Sequence, residues 1–346
     1  MSTYSSTTSS CLLTPPVSPP SSPVETQFPY VVGATFLAKR HEPPSRSEMG
    51  YCELQGIPEV TYDVPQRDWC LAHPPAPGIT HEEDVRSIEI AKAIRVGENC
   101  SAQLVLTADG FVAKVYDPLY YTWHDPENPW NLDVAAYADR DYITEAAAYS
   151  ELCDTKFPGD ITPTYHGSWT ISIPTGSNGI ESFRDVRLVI MENIHGVSMQ
   201  NLDPTTLTGR ERENIMARLI EADIDLRFSG VVHEDLMPRN VMLSLLDSSQ
   251  KYLDGGFRLC MIDFEACEFP KDENGTGPAP RFHNPLFYWI GQQWWIDWGW
   301  LPKEEEAYEW MWNMWGNGGN EGKYVVVHRD PESSFWQPIW PRRVQV

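Results

Sequence analysis

The segment Val231–Ser244 concentrates side chains that are able to do chemistry. It reads VVHEDLMPRNVMLS and places Asp235 two residues after His233 and Asn240 five residues after Asp235. Pro238 interrupts any regular helix here, because proline lacks an N–H and disfavours helical backbone in the residue before it. We therefore predict a short rigid loop that presents a carboxylate and an amide between two apolar segments.

A second apolar run, Leu259–Ile262, ends in Asp263. If both runs are strands that end at one site, Asn240 and Asp263 bring oxygen ligands to the same place. Ligands of this kind suit a hard cation such as Mg²⁺. The alternatives are a simple turn or a transition-metal site on His233 and Asp235. No second cluster of histidines and cysteines with ligand spacing supports a transition metal.

Two polar residues lie in elements that precede the loop. Lys114 lies in the apolar strand Phe111–Tyr116, and a buried lysine needs a partner because an unpaired buried charge is costly. Glu145, in the alanine-rich helix predicted at Asp139–Leu152, is the candidate partner. Taken singly, Lys114 is more often a strand-edge residue and Glu145 a solvated one, and Glu151 competes for the same role.

Hydrophobic patterning predicts a sheet followed by helices. Arg210–Phe228 has the wide apolar face of a buried helix. Ten of the 14 tryptophans fall between Trp289 and Trp340, which favours the core of a helical lobe over a ligand cage. Residues 117–138 form an insertion rich in aromatic residues, for which the sequence predicts neither a helix nor a strand. The predicted strands are Ser87–Val96, Ala102–Thr107, Phe111–Tyr116, Trp169–Ile173 and Val186–Met191.

Taken in order, these motifs resemble those of the protein-kinase-like superfamily. HEDLMPRN is similar to its H-x-D-L-x-x-x-N catalytic loop, and IDFE to its metal-binding D-F-G segment. The similarity spans roughly residues 85–268. Three further stretches resemble the kinase-like proteins of filamentous fungi more than ordinary protein kinases: FVAKVYDP, E-x-x-A-Y-x-x-L around Glu145, and MENIHG. The superfamily also includes small-molecule kinases of the aminoglycoside/choline branch.

The resemblance implies an ATP- and Mg²⁺-dependent phosphotransferase acting on a hydroxyl group of a protein or a small molecule. For nucleotide binding, it implies that Lys114 contacts the α- and β-phosphates and that Glu145 holds this lysine by an ion pair. Backbone groups from Glu192 to Ile194 would bind adenine.

For catalysis, the resemblance implies that Asn240 and Asp263 ligate Mg²⁺. Asp235 would orient the acceptor hydroxyl and take its proton. His233 is expected to be structural and to pack beneath the loop.

Two departures from the family pattern favour an alternative, a weak or inactive pseudokinase that binds nucleotide or acts as a scaffold. No G-x-G-x-x-G precedes Lys114, and Glu265 stands where the family has the glycine after Asp-Phe. Glu234 replaces the arginine of protein kinases, and no A-P-E segment follows. Control by loop phosphorylation is therefore not expected. The small-molecule branch also lacks that arginine.

Charge and cysteine usage limit the function classes. The net charge of −23 argues against binding to nucleic acid or to an anionic membrane, both of which need a basic surface. The seven cysteines are scattered and form no C-x-x-C pair, as in a reduced intracellular protein. With no signal peptide or transmembrane segment in the pattern, we expect a soluble cytoplasmic or nuclear protein.

The predicted fold class is α+β, a two-lobed protein-kinase-like fold with an antiparallel β-rich N-lobe and a mainly helical C-lobe. We expect a disordered Ser/Thr/Pro-rich tail at residues 1–30 and an irregular extension at residues 31–80. The N-lobe is predicted at residues 81–192 and the C-lobe, with its Trp-rich end, at residues 193–346.

Overall fold

The computed structural model describes residues 28–49, 57, 59–61, 63–124, 130–175, 182–246, 251–253, 255–270, 284–319 and 322–329. Nearly all of the predicted disordered tail, residues 1–27, therefore lies outside the described residues. The last two tryptophans, Trp336 and Trp340, lie outside them too.

The first part of the chain is built on antiparallel strands. In chain order these are β1 Thr35–Glu42, β2 Glu59–Val60, β3 Ile79–Arg95, β4 Gln103–Thr107, β5 Val112–Tyr116, β6 Asn131–Leu132, β7 Tyr165–Pro174 and β8 Phe183–Met191. Six of them close a barrel in the order β1-β3-β4-β5-β8-β7. The short strands β2 and β6 pair separately.

Strand β5 is buried on both faces, and this explains its unbroken apolar sequence. Ala113 and Val115 point into the barrel core, whereas Val112 and Tyr116 join the larger core outside the barrel. Because side chains alternate along a strand, Lys114 lies on the same side as Val112 and Tyr116. That side is covered by helix α2, Val134–Leu152.

The N-terminal extension differs from its prediction. Thr35–Glu42 was expected to be irregular but forms β1, which pairs with β3 and β7 and closes the barrel. Strand β3 begins at Ile79, earlier than predicted, because its polar first half is stabilised by pairing with β1. Tyr30, placed in the disordered tail, is buried, and its hydroxyl donates to Asp117 Oδ2 at 2.6 Å.

Helices α1 and α2 cover the site side of the barrel. Helix α1 spans Gln66–Ala72. Helix α2 begins at Val134, not at Asp139 as predicted, because the Asp133 side chain accepts a hydrogen bond from Ala136 N and caps the helix there. The end of the aromatic insertion is thus the first turn of α2.

The second part of the chain is mainly helical. Helix α3 starts at a capping box in which Thr208 and Glu211 satisfy each other's backbone N–H groups. The strands that follow β8 are short and frame the central loop, residues 234–240. The elements are β9 Val197–Ser198, α3 Gly209–Phe228, β10 Val232–His233, β11 Val241–Leu245, β12 Phe257–Met261, β13 Cys267–Glu268, α4 Leu286–Trp289, α5 Gln293–Asp297 and α6 Glu304–Trp315.

Most of the described C-terminal tryptophans are core residues, as expected. Trp289 is buried, and its indole N–H donates to the buried Asp223 at 2.9 Å, which ties α4 to α3. Trp315, at the end of α6, donates its indole N–H to Glu221 of α3 at 3.2 Å. Trp294 is an exception, with 63% of its surface exposed. No helix among the described residues has the length and apolar character needed to cross a bilayer.

Candidate active site

Lys114 lies at the centre of a carboxylate cluster. Its ammonium lies 2.5 Å from Glu145 Oε2 on helix α2 and 2.9 Å from Glu265 Oε2, and it also pairs with Asp263. The ion pair predicted between Lys114 and Glu145 is present. Glu151, the competing residue, is exposed. Carboxylate oxygens of Glu145, Asp263 and Glu265 lie within 4.8 Å of one another.

Burial sets the electrostatics of this cluster. It disfavours the charged form of Lys114, but Asp263, Glu145 and Glu265 outweigh this and hold the lysine pKa well above its usual value. Burial raises the pKa of Glu145, and Lys114 offsets only part of that effect. For Asp263, Lys114 outweighs burial and lowers the pKa, with smaller help from Arg95 and His233.

The Glu145 carboxylate is held in place by buried neighbours. Tyr116 donates its hydroxyl to Glu145 Oε2 at 2.5 Å. Glu145 Oε1 is buried without a hydrogen-bond partner among the described residues. One helical turn earlier, Asp141 is also buried, and burial together with Glu265 raises its pKa to about 7 despite the adjacent Arg140.

The backbone at Asp263 is held in an uncommon conformation. Its φ of 70° and ψ of 67° are left-handed, which is rare for a residue other than glycine and marks a constrained site. The next residue, Phe264, is fully buried between Tyr149 and His233, with ring centroids 5.3 and 5.0 Å away. Phe264 thus fixes the turn that aims Asp263 at Lys114.

His233 is structural, as the sequence suggested. It is buried, and its Nε2 lies 3.0 Å from the carbonyl oxygen of Ile262. Burial lowers the pKa of its imidazole. The ring therefore ties the loop before Asp235 to the strand end before Asp263.

Asp235 lies on the loop between β10 and β11. Its two oxygens each accept a hydrogen bond from Arg239 Nη2 at 2.7 Å. Asn240 Nδ2 donates to Asp235 Oδ2 at 2.9 Å. Arg239 was not singled out from the sequence, although its spacing of four residues from Asp235 is a signal for such a pair.

Asn240 and Asp263 are brought together by strand pairing. Val241 lies opposite Met261 in the β11–β12 ladder, and Ile262 N donates to the Asn240 carbonyl at 2.9 Å. This contact places Asn240 directly beside the residue that precedes Asp263. The convergence expected from the two apolar runs is therefore present in the fold.

The loop between β3 and β4 lacks the glycine-rich pattern but is held firmly. Gln103 is fully buried, and its amide accepts from Gly97 N at 2.7 Å and donates to Gly97 O at 3.0 Å. Cys100 N donates to Tyr120 O at 3.0 Å. The loop leads directly into β4, where Leu104 pairs with Lys114 of β5, so its end lies beside the strand that carries the lysine.

The segment Glu192–Ile194 connects the barrel to the second part of the chain. The Glu192 carboxylate lies 2.5 Å from Arg258 Nη1, and Glu192 N donates to Thr164 O at 2.9 Å. Arg258 belongs to β12, the strand that ends just before Asp263. Ile194 is partly buried. The ion pair thus joins the connector to the strand of the site and was not predicted.

The oxygen groups of the site fit a divalent cation. Asp263, Glu265 and Asn240 offer the carboxylate and amide oxygens that Mg²⁺ prefers. Three carboxylates around one ammonium leave a net charge of −2 when all are ionised. The buried, unpartnered Glu145 Oε1 adds to this negative potential.

Comparisons with known proteins do not assign the chain to a family. No protein-family model matches the sequence, and no curated protein matches it. The PknI kinase domain of Mycobacterium tuberculosis is similar at TM-score 0.32 and 16% identity, over 51% of this chain and 59% of that one. The Rio2 kinase of Chaetomium thermophilum, solved as an ADP/Mg²⁺-phosphoaspartate complex, is similar at TM-score 0.36 and 13% identity, over 71% and 59%.

The chain thus spans 59% of the length of each of these two kinases. Such low similarity carries no argument about activity. The fold class is read from the order of the elements: an antiparallel barrel with Lys114, a helix with Glu145, a connector, a long helix, and the loop and strand with Asp235 and Asp263. The expected α+β, two-lobed protein-kinase-like fold is confirmed.

Proposed function

We propose that this chain is an ATP- and Mg²⁺-dependent phosphotransferase that transfers the γ-phosphate to a hydroxyl acceptor. The observation that carries the proposal is the convergence of Lys114 and Glu145 with Asp263, beside a loop that holds Asp235 and Asn240. Phosphoryl transfer asks the protein chiefly for positioning and for neutralisation of phosphate charge. These side chains supply both.

On the nucleotide side, Lys114 would donate to phosphate oxygens while Glu145 keeps the ammonium in place. Backbone groups between Glu192 and Ile194 would bind adenine. Asp263 and Asn240 would hold Mg²⁺, with Glu265 as a further oxygen donor. The bound cation would neutralise charge on the phosphate oxygens.

On the acceptor side, Asp235 would orient the hydroxyl and take its proton. Oδ2 of Asp235 receives hydrogen bonds from Arg239 and Asn240, whereas Oδ1 receives one from Arg239. Oδ1 is therefore the oxygen that an acceptor hydroxyl would approach. Arg239 would position the carboxylate through its two hydrogen bonds.

The second candidate is a pseudokinase that binds nucleotide without turning it over. This candidate is supported by a third carboxylate that pairs with Lys114. Glu265, which stands where the family has a glycine, forms an ion pair with the lysine ammonium. A nucleotide phosphate would have to compete with this carboxylate for the ammonium.

The test compares ATP turnover and MgATP affinity in the wild type and Asp235→Asn. General-base and positioning roles are worth ~10²–10⁴ in rate, so turnover should fall by that factor while the Kd for MgATP changes little. Glu234→Gln, at the exposed neighbouring position, is the control and should keep the wild-type rate. Unchanged turnover in Asp235→Asn would refute the role of this residue. A wild type that binds MgATP without turnover would favour the pseudokinase.

A further inference from the structure

A cavity of about 390 Å³ lies beside the central loop. Its walls come from the segment after β9, from the loop itself and from the segment after α5. This volume falls in the range of about 300–1,000 Å³ that small-molecule sites occupy. The lining residues are Met199, Gln200, Leu202, Pro204, Met237, Pro238, Arg239, Trp298 and Trp300.

The tryptophan wall of the cavity is fixed by packing. Trp298 meets the buried Trp295 edge to face, with ring centroids 5.5 Å apart. Trp300 is buried, and its backbone N–H donates to Trp295 O at 3.0 Å. A Cβ at Gly299 would be in ordinary van der Waals contact with Pro204 Cγ, 3.5 Å away. The cavity is therefore preformed.

Arg239 connects this cavity to the reacting group. Arg239 lines the cavity, and its Nη2 donates to both oxygens of Asp235 at 2.7 Å. An occupant of the cavity thus lies one side chain away from the carboxylate assigned to take the acceptor proton.

The lining of the cavity is largely apolar. Seven of the nine lining residues are apolar, one is the amide Gln200, and the charged one is the cation Arg239. No carboxylate is among them, although the whole chain carries a net charge of −23. The acidic side chains that give the chain its net charge are therefore absent from the cavity lining itself, and Asp235 adjoins the lining through its ion pair with Arg239.

We propose that this cavity binds the phosphate acceptor and that the acceptor is a small, largely apolar alcohol without positive charge. This inference rests on the proposed function. In the reaction, the bond between the γ-phosphorus and the β,γ-bridging oxygen breaks, and a bond from that phosphorus to the alcohol oxygen forms. Asp235 takes the hydroxyl proton, and ADP leaves with the electron pair of the broken bond.

The experiment measures ADP release from MgATP with two primary alcohols of matched size. The uncharged probe is 2-naphthaleneethanol and the cationic one is benzyl(2-hydroxyethyl)dimethylammonium. Wild-type protein should use the uncharged probe with at least a tenfold higher kcat/KM. Trp298→Ala should lower that kcat/KM at least tenfold, whereas Trp294→Ala, at an exposed position outside the lining, should keep it.

A second variant tests the charge argument without touching the core. Gln200 is exposed, so Gln200→Glu should fold normally and shift the preference toward the cationic probe. Thermal stabilisation by MgATP is recorded for every variant and should stay at the wild-type value.

Three results overturn this inference while leaving the proposed function standing, provided that MgATP still binds. They are no ADP release with the uncharged probe, a preference of the wild type for the cation, and equal effects of Trp298→Ala and Trp294→Ala. Absence of MgATP binding in the wild type overturns the proposed function as well.

Discussion

Glu265→Gln is expected to stabilise the protein in the absence of divalent cations. Glu265 lies 2.9 Å from the Lys114 ammonium and within 4.8 Å of both Glu145 and Asp263. At an effective dielectric constant of about 20, the attraction between Glu265 and Lys114 is worth about 6 kcal/mol. The repulsion of Glu265 by Glu145 and that by Asp263 each cost at least about 3.5 kcal/mol. The two repulsions together exceed the attraction by about 1 kcal/mol. Removing the Glu265 charge should therefore raise the free energy of unfolding by about that amount, which is about 2 °C in Tm for a chain of this size.

The assay is thermal unfolding in EDTA and in Mg²⁺, with Glu234→Gln as the exposed control. In EDTA, Glu265→Gln should melt higher than the wild type, and the control should be unchanged. With Mg²⁺, the variant should gain less stability than the wild type, because it offers one carboxylate fewer. A lower Tm of Glu265→Gln in EDTA would refute the charge reasoning.

Three further predictions concern polar side chains and their hydrogen bonds. The pKa of Asp141 is raised to about 7, so the folded state binds its proton more tightly than the unfolded chain, and stability falls as pH rises from about 4 to 7. Asp141→Asn should flatten that pH dependence and raise Tm by several degrees at pH 8. Gln103→Met removes both bonds to Gly97 and should raise the KM for ATP several-fold with less change in kcat, measured by ADP release. Thr208→Ala, which removes the cap on Glu211 N, should cost about 1 kcal/mol in urea unfolding.

The parts of the site that were predictable are those in which local sequence determines position. Asp235 and Asp263 follow short strands, and Asn240 immediately precedes β11, whose pairing with β12 brings Asn240 beside the end of β12. Lys114 in an apolar strand required a partner, and the next helix supplied the candidate Glu145, which is buried there together with Asp139 and Asp141. Their catalytic roles remain predictions, as do the lobe boundaries.

The unpredicted parts depend on contacts between distant segments. Strand β1 has no clear alternation, and its pairing with β7 joins residues more than a hundred positions apart. The pair Glu192–Arg258 and the cavity wall at Trp298 likewise arise only when separate segments meet. Gln103 looked like an ordinary strand residue, because no local pattern shows that its amide folds back on Gly97.

The central claim is that Lys114, Asn240 and Asp263 form a site for MgATP. Thermal unfolding of the wild type and Asp263→Asn, with ATP in the presence and absence of Mg²⁺, tests it most directly. At a hundredfold excess over Kd, MgATP should stabilise the wild type by about 2.7 kcal/mol. This gain should require Mg²⁺ and should be much smaller in Asp263→Asn. A folded wild-type protein that shows no change in Tm at millimolar MgATP would contradict the claim.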